Sequence, residues 1–307
     1  MRNSFVNTMI ECAKQDERVA LLMAEVGFSV VEPFEKEFPN RFFNTGIAEQ
    51  NLVLTAAGMA MAGMRPVAYS MSSFLPSRAF ELIKVSVCYQ NLPVILMSVG
   101  SGLSYGEMGS THHAIEESAI MRSLPNLTVE FPSDGAELRD VLKYALSVEK
   151  PFYISFPKAP DSKLDPHKYE NGKMVEYKSG KDGNILAVGY SVKNALNAAE
   201  LLSKKGYDIG VYGIHTVKPL DRNAIIKAAT VGNVFVLDEH QYCAGIGAEV
   251  ARVILESGLP IKKFKDFSVP DTFVHQVSRY QELLNMYHLS AEKVAEDIEI
   301  LLASKLA

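Results

Sequence analysis

The chain has 307 residues, of which 48% are hydrophobic and 22% charged, and this composition is typical of a soluble globular protein. At about 150 residues per domain, the length predicts roughly two domains. The 31 basic and 36 acidic residues give a net charge of −5 without any basic run, which argues against a nucleic-acid partner. The longest uncharged apolar stretch, 52–64, is shorter than the roughly 18 residues of a membrane span, and the amino terminus has no signal-peptide pattern, so we expect a cytoplasmic protein without a membrane partner.

Short, continuous apolar runs alternate with helix-period segments over the first half of the chain. Such runs are typical of strands buried on both faces of a parallel sheet. They lie at 19–23, 67–69, 94–99 and 152–156, and the predicted helices cover 5–14, 50–62, 80–88 and 137–148. This alternation predicts a three-layer α/β domain over residues 1–160, with a doubly wound, mainly parallel sheet.

The composition changes after residue 160. Residues 161–182 are rich in Lys, Asp, Pro, Gly and Ser, which predicts a linker. Residues 183–307 predict a second three-layer α/β domain with a smaller, mixed sheet. Its predicted strands are 185–189, 209–212 and 234–237, and its predicted helices are 192–204, 222–229, 247–256 and 291–302.

The segment 44–51, NTGIAEQN, follows a short predicted strand and opens a helix that has little side-chain bulk. Glu49 would lie in the first turn of this helix, where glutamate is common because the helix dipole favours it. A carboxylate among apolar neighbours could instead exchange a proton near neutral pH, which is the functional alternative. The small side chains of 50–62 fit either a core helix or a helix that crosses a subunit interface at short range.

Four glycines occur in the segment 100–113, GSGLSYGEMGSTHH. Glycines permit close approach of a ligand to the backbone. The spacing of Gly100, Gly102 and Gly106, with Glu130 at the end of the next strand, leaves a dinucleotide site as one alternative. Helix is not predicted directly after these glycines, whereas a dinucleotide fingerprint requires it there.

Two histidines and two phenylalanines are further candidate site residues, chosen for the chemistry of their side chains. His112 and His113 are adjacent, so their side chains diverge, and neither they nor the three widely spaced cysteines have metal-ligand spacing. Histidine at the carboxyl end of a parallel strand is a candidate proton donor or acceptor, with helix capping as the alternative. Phe74 and Phe80 are by default core aromatics, with a stacking surface for a flat ring as the alternative. The sequence predicts no metal site.

Three motifs resemble, in their order and spacing, the pyrimidine-binding domain of transketolases. They are GIAEQ at 46–50, FLPSRAFE at 74–81 and GSTHHAIE at 109–116. Residues 181–307, in which LDEH at 237–240 leads to GIG at 245–247, resemble the transketolase carboxy-terminal domain. The resemblance covers nearly the whole chain, and it implies two-carbon ketol transfer with thiamine diphosphate as cofactor.

The resemblance implies a cofactor role for four side chains. Glu49 matches the family glutamate that bonds the aminopyrimidine ring of thiamine diphosphate and favours the tautomer that activates the thiazolium carbon. Phe74 and Phe80 match aromatic residues that pack on the pyrimidine, and Glu25 matches an aspartate near the cofactor. The cofactor itself supplies the nucleophile and the electron sink in this family.

Among the substrate-binding positions, the resemblance implies that some side chains match those of the family and that others are absent. Ser29 matches a serine that touches the acceptor phosphate, and His112 matches a histidine that contacts substrate oxygens. Typical transketolases have histidine at the position of Gly100 and aspartate at that of Met108, and Lys158 is the sole cation near a position where they have a phosphate-binding arginine. Each lost hydrogen-bonding group costs roughly 1 to 3 kcal/mol in discrimination, so we expect sugar or sugar-like substrates other than the usual pentose phosphate pair.

The family anchors the diphosphate through Mg²⁺ held by a GDG motif and a downstream asparagine. This sequence has no GDG, and Lys181-Asp182-Gly183 lies in the wrong context. The resemblance therefore implies a separate amino-terminal subunit that carries GDG and asparagine and binds Mg²⁺, in an α2β2 assembly by analogy. The alternatives are a beta subunit of a 2-oxoacid dehydrogenase, a deoxyxylulose phosphate synthase-like enzyme, and a non-catalytic scaffold subunit that retains the fold.

Overall fold

The computed structural model describes residues 1–27, 29–161 and 163–304, which fold into two α/β units. The strands of these residues are β1 Val19–Met23, β2 Phe42–Asn44, β3 Arg65–Met71, β4 Ile95–Val99, β5 Thr128–Glu130, β6 Phe152–Phe156, β7 Val175–Lys178, β8 Gly183–Val188, β9 Ile209–Ile214, β10 Thr216–Lys218, β11 Asn233–Gln241 and β12 Lys263–Val269. The helices are α1 Arg2–Gln15, α2 Glu32–Glu37, α3 Glu49–Met61, α4 Leu75–Arg78, α5 Phe80–Leu82, α6 Glu117–Arg122, α7 Gly135–Ser147, α8 Val192–Ser203, α9 Arg222–Ala229, α10 Ile246–Ser257, α11 Tyr280–Met286 and α12 Ala291–Ala303. Within the described ranges, none of these helices is long and apolar enough to cross a membrane.

The first sheet has the strand order β10-β5-β6-β4-β3-β1-β2 over the described residues. Its neighbouring strands are parallel except for β10, which is antiparallel to β5. Leu52 and Ala56 of α3 pack in the core on one face, whereas Phe5 of α1 and Leu138 of α7 pack in the core on the other. Helices on both faces explain the continuous apolar strands, and the predicted doubly wound, mainly parallel sheet is confirmed.

The second sheet has the order β12-β11-β8-β9-β7, in which β7 alone of the described strands is antiparallel to its neighbour. Ala195 of α8 and Val294 of α12 pack on one face. Ile225 of α9 and Val250 of α10 pack on the other. The predicted smaller, mixed sheet with helices on both sides is confirmed.

Three strands of the structure were not predicted. β7 lies within the segment 161–182 that we expected to be a linker, and its residues alternate between half-buried and exposed. β12 is mostly polar at its start, and β10 has three residues. Edge strands bury one side and short strands bury little, so neither gives the continuous apolar run by which the central strands were found.

β10 follows β9 of the second sheet yet pairs with β5 of the first, and Glu130 lies at this junction. The buried Glu130 carboxylate accepts hydrogen bonds from Tyr169 at 3.0 Å, Asn171 at 2.6 Å and Thr216 at 3.0 Å. It also lies 3.3 Å from Nδ1 of His215. One carboxylate therefore joins the two sheets and the segment between them.

We expect Glu130→Ala to lower the free energy of unfolding by about 3 kcal/mol, because several buried donors would lose their acceptor. Chemical denaturation of the purified chain measures this quantity. Glu176→Ala is the control, since the half-exposed Glu176 carboxylate pairs with Lys227 at the surface and contributes little. A loss in Glu130→Ala no larger than in the control would contradict the role of the junction.

The segment between the sheets is also held at His167, whose Nε2 lies 2.9 Å from the buried carboxylate of Glu137 on α7. The hydrogen bond that His167 donates to the Glu137 carboxylate raises the pKa of His167 above its usual 6.5. This interaction therefore stabilises the fold fully below about pH 6.5, and the stabilisation is lost as pH rises through the raised folded-state pKa.

We expect the free energy of unfolding to fall as pH rises from about 6 to 8.5, and to fall less in His167→Gln, which has no titrating imidazole at this position. Denaturation curves at a series of pH values measure both slopes. His288→Gln is the control, because His288 pairs with Asp297 at the exposed surface. Identical slopes for wild type and His167→Gln would rule the interaction out as a source of the pH dependence.

Candidate active site

The candidate residues lie in loops at one edge of the first sheet. Parallel strands all end at the same edge, which is where open α/β sheets bind ligands. Glu25 and Ser29 follow β1, Glu49 follows β2, Phe74 and Phe80 follow β3, Gly100, Met108 and His112 follow β4, and Lys158 follows β6. The structure thus gathers positions that are up to 133 residues apart in the chain.

Glu49 is the first residue of α3, and its side chain is 4% exposed. The Ala48 that precedes it provides no side-chain cap, so Glu49 lies beside otherwise open backbone N–H groups. Its carboxylate Oε2 lies 3.0 Å from Nη1 of Arg78, at the end of α4. The surroundings are therefore not purely apolar, and the ionic partner Arg78 was missed by the sequence argument.

Arg78 begins a line of side chains that contact one another across three loops. Its guanidinium lies over the ring of Phe74, 4.2 Å from the centroid. Phe74 meets the ring of His112 edge-on at 5.3 Å, and His112 lies 6.2 Å from Tyr105. The ammonium of Lys158 lies 4.8 Å from the centroid of the Tyr105 ring. Cation–π and aromatic contacts thus connect Glu49, through Arg78, to Lys158.

Arg78 and Tyr105 were not predicted as site residues, although both lie inside the candidate segments 74–81 and 100–113. Arg78 stands four residues after Phe74, which is the spacing of neighbours on one helix face. Tyr105 lies in the glycine-rich loop, with its side chain set against Gly100. The spacing could have identified Arg78, whereas the contact of Tyr105 depends on the path of the loop.

Gly100 has a φ of +104°, and a Cβ at this position would lie 2.3 Å from the ring of Tyr105. The space that a side chain at position 100 would enter is filled by the Tyr105 ring. This contact is the physical reason why the position carries no side chain in this chain. The hydroxyl-bearing ring of Tyr105 is the group that faces Lys158 and His112 instead.

Glu25 and Ser29 lie apart from this line of contacts, in the loop after β1. Both residues have positive φ, 47° for Glu25 and 62° for Ser29, which is an uncommon conformation for residues with a side chain. The side-chain amide of Asn44 donates to Glu25 at 2.8 Å, and the amide N–H of Ser29 donates to Glu32 at 2.6 Å. Strained backbone of this kind occurs preferentially at binding sites.

Phe80 does not join the line of contacts either. It lies on α5 and lines a cavity of about 510 Å³, which we call the Phe80 cavity. The cavity is lined by Ser72, Ser73, Pro76, Ser77, Phe80, Ala114, Glu116, Glu117 and Ile120. Its wall combines aromatic and aliphatic side chains with serines and glutamates, although the Glu117 side chain itself is fully buried.

Met108 is half exposed in the 3₁₀ turn Gly106–Met108 and lines a smaller cavity of about 200 Å³ together with Lys158 and Tyr105. The thioether of Met108 is only a weak hydrogen-bond acceptor. Glu107 and Lys158 also line this cavity, so its wall carries one acidic and one basic side chain.

Burial lowers the pKa of His112 below its usual 6.5, so the imidazole is neutral at neutral pH. Its Nδ1 lies 2.9 Å from the hydroxyl of Thr111, and the ring can therefore donate through one nitrogen and accept through the other. His113 is buried, and burial lowers its pKa as well. Groups of three or more metal-ligating side chains were not found in the described part of the chain.

The glycine-rich segment does not have the strand–turn–helix arrangement that a dinucleotide site requires. The glycine-rich segment continues into turns and the 3₁₀ turn Gly106–Met108, and the next helix, α6, begins at Glu117. A dinucleotide fingerprint would require a helix directly after the glycines. Glu130 is buried in the junction between the sheets and its oxygens accept from protein donors, so it does not face a ligand.

Two known protein families match this chain. Residues 1–160 match the family described as transketolase, pyrimidine binding domain, and residues 172–294 match the transketolase C-terminal domain. The chain belongs to the transketolase family. The putative transketolase C-terminal section of Methanocaldococcus jannaschii is 34% identical over 303 residues, which cover 97% of this chain and 95% of that protein.

Two further relatives differ in the share of their own length that this chain matches. One of the subunits of the apulose-4-phosphate transketolase of Actinobacillus succinogenes is 35% identical over 85% of both chains. The 1-deoxy-D-xylulose-5-phosphate synthase 1 of Geobacter sulfurreducens is 34% identical over 98% of this chain, but this match spans 48% of that longer protein. The transketolase-family chain described here thus corresponds to whole subunits in some relatives and to about half of the chain in others.

A solved structure described as the inactive β4 tetramer of a split-gene transketolase has a TM-score of 0.90, with 34% identity and 99% coverage of both chains. The transketolase of Campylobacter jejuni has a TM-score of 0.81 at 18% identity and shows the same fold over 46% of its length. The chain is therefore a transketolase-like C-terminal subunit of the split type.

We expect Gly100→Ala to lower the free energy of unfolding by about 3 kcal/mol, because the added methyl would collide with Tyr105 at a strained φ. Thermal or chemical denaturation of the purified chain measures the loss. Gly63→Ala is the matched control, since Gly63 has a φ of +91° with no heavy atom within 4 Å of the added Cβ, and backbone strain alone predicts about 1 kcal/mol. Equal losses in the two variants would contradict the contact with Tyr105.

Proposed function

We propose that this chain is the pyrimidine-binding subunit of a split, thiamine-diphosphate-dependent transketolase that transfers a two-carbon ketol unit between sugar or sugar-like substrates. The observation that carries the proposal is the buried Glu49 at the start of α3, linked through Arg78 to the ring of Phe74. A carboxylate at the edge of an aromatic surface suits an aminopyrimidine ring, which needs an acceptor at its edge and a flat apolar contact on its face.

The residues present fit the pyrimidine end of thiamine diphosphate. Glu49 would hold a proton at a ring nitrogen, and Phe74 and Phe80 supply aromatic faces. Arg78 fixes the Glu49 carboxylate at 3.0 Å and so sets its direction. Once bound, the cofactor supplies a nucleophilic carbon and an electron sink. Glu25 would lie near the same ring, held by Asn44.

We propose that the diphosphate and Mg²⁺ are bound by a separate amino-terminal subunit that carries the GDG motif and an asparagine. The related β4 tetramer is described as inactive, which fits a subunit that needs such a partner. The outward face of α3 offers a contact surface, since Leu54 and Met61 are exposed on it and the exposed Ile47 lies just before the helix. A Cβ at Gly58 on this helix would meet no atom of this chain within 4 Å. This surface supports an α2β2 assembly with active sites between chains.

The substrate contacts support specificity different from the usual pentose phosphate pair. His112, neutral and next to Thr111, would donate to or accept from substrate oxygens. Tyr105 fills the space at Gly100, and Met108 places a thioether, beside Glu107, where the resemblance implies an aspartate. Lys158, with Ser29 across the sheet edge, would face a phosphate. The relation to an apulose-4-phosphate transketolase is consistent with a phosphorylated sugar outside that pair.

We expect Glu49→Gln to lower kcat of the complex at least about 100-fold, because the amide cannot hold or release the proton. Steady-state kinetics of the chain purified together with its partner subunit measure this loss. The control is Glu81→Gln, an exposed carboxylate in the same motif, which we expect to retain activity. Full activity in Glu49→Gln would overturn the catalytic assignment and favour a scaffold role.

A deoxyxylulose phosphate synthase-like reaction is the second candidate, because that enzyme of Geobacter sulfurreducens is 34% identical over 98% of this chain. Such a synthase, like a 2-oxoacid dehydrogenase, would use a 2-oxoacid donor and release CO₂. Incubating the complex with an aldose phosphate as acceptor and either a 2-oxoacid or a ketose phosphate as donor distinguishes the candidates. CO₂ release from the 2-oxoacid without ketol transfer from the sugar would replace the transketolase proposal.

A further inference from the structure

The glycine-rich loop, residues 100–113, lies against the second unit. Its candidate site residues are Tyr105, Met108 and His112. A Cβ at Gly106 would lie 2.5 Å from the carbonyl oxygen of Ser278, and the amide N–H of Ser278 donates to the Gly106 carbonyl at 3.3 Å. Further along the loop, the Ser110 hydroxyl donates to the carbonyl of Val274. The second unit therefore supports the middle of the loop through polar contacts.

The start of the loop contacts the buried Glu239, near the end of β11. Gly102 has a φ of +58°, and a Cβ at this position would lie 2.9 Å from the Cβ of Glu239 and 3.1 Å from its Oε2. The amide N–H of the next residue, Leu103, bonds to the same carboxylate. Glycine at position 102 thus permits a carboxylate of the second unit to reach the backbone of the loop.

Glu239 is also held by side chains of its own unit. The hydroxyl of Tyr280 on α11 donates to Oε1 of Glu239, and the Ser191 hydroxyl lies 3.5 Å from the same oxygen. Tyr280 lines the cavity of about 200 Å³ together with Tyr105 and Lys158. A single side chain therefore separates Glu239 from this cavity.

The charge of Glu239 changes below neutral pH. Burial raises the pKa of its carboxyl to about 7, although the hydrogen bond from Tyr280 and the neighbouring His240 lower it. Asp238 on the same strand raises the pKa further, and Tyr190, in the turn before α8, also faces Glu239.

This pKa gives the contact with the loop a pH dependence. The pKa of the Glu239 carboxyl is about 7 in the contact and 4.5 in water, so the neutral form favours the contact. The contact is therefore strongest below about pH 4.5, and it weakens as pH rises to about 7.

We propose that Glu239 is a positioning residue for substrate binding, which holds the glycine-rich loop so that the side chains of the loop line the cavity beside Lys158. Glu239 acts through the backbone of the loop and does not touch the substrate. The proposal rests on the proposed function, because the position of the loop affects the reaction only if this cavity takes the sugar substrate. It gives the second unit a part in substrate binding.

The first measurement is hydrogen–deuterium exchange of residues 100–113 in the purified full chain at neutral pH. We expect Glu239→Ala to raise the exchange rate of the loop about tenfold, because the backbone of the loop loses its acceptor. Glu239→Gln keeps an acceptor oxygen and should exchange no faster than wild type. The matched control is Glu130→Ala, which removes another buried carboxylate between the units, whose partners lie at 169–171 and 215–216. This control should lower the unfolding temperature and leave exchange of the loop unchanged.

The second measurement is the pH dependence of the same exchange, corrected for the intrinsic rate. Between about pH 5 and 7.5, protection of the loop should fall about fivefold or more in wild type, because the carboxyl ionises. It should fall less in Glu239→Gln, whose amide does not titrate.

The third measurement is steady-state kinetics of the complex with its partner subunit, with fructose 6-phosphate as the ketose donor. We expect Glu239→Ala to raise KM about tenfold and to change kcat less than about threefold, because the loop binds substrate in a less ordered position. Glu239→Gln and Glu130→Ala should keep the KM of wild type.

Exchange of the loop as slow in Glu239→Ala as in wild type, or equally fast in Glu130→Ala, would overturn the proposal, as would faster exchange without a rise in KM. Tyr280→Phe removes one hydroxyl donor and keeps the ring, so it serves if Glu239→Ala does not fold. A rise in exchange of about threefold is then expected, and no rise would contradict the proposal. A wild-type complex that transfers no ketol unit would overturn the proposed function itself, whereas exchange of the chain alone would still decide whether Glu239 holds the loop.

Discussion

Parallel pairing of β1, β2, β3, β4 and β6 is the constraint on which the chemistry of this chain depends. Parallel strands end at one edge, so the loops that follow them meet there. The ion pair between Glu49 and Arg78 joins residues 29 positions apart, and Lys158 reaches Tyr105 from a different strand end. Any change in strand order would separate these groups, although each loop kept its sequence.

Charged groups in this chain are used in two ways. At the sheet edge, Arg78 and Lys158 lie over aromatic rings, where a cation keeps its charge near an open surface. Between the two units, carboxylates face imidazoles in dry surroundings, as in the pairs of Glu130 with His215 and of Glu117 with His240. The first arrangement presents charge to a ligand, whereas the second fixes the position of one unit against the other.

Much of the fold was predictable, because a strand buried on both faces gives a continuous apolar run and an amphipathic helix a clear period. The strands that escaped prediction, β7, β10 and β12, are short or lie at an edge, and their residues carry no such pattern. The candidate site was predictable in its residue types and its loops. Its ionic partner Arg78, the filling of the space at Gly100 by Tyr105 and the contact of Glu239 with the glycine-rich loop were not, because each depends on the path of the folded chain.

The sequence by itself determined the family, the two α/β units and the chemical character of the residues at the sheet edge. Short sequence patterns are sufficient to identify these features, because each pattern consists of a few neighbouring residues. The tertiary structure decided which of these residues touch. Phe74 joins Glu49 and His112 in one line of contacts, whereas Phe80 lines a separate cavity. The physical reason is that hydrogen bonds and ring contacts act over a few ångströms, and only the folded chain brings distant residues within that range.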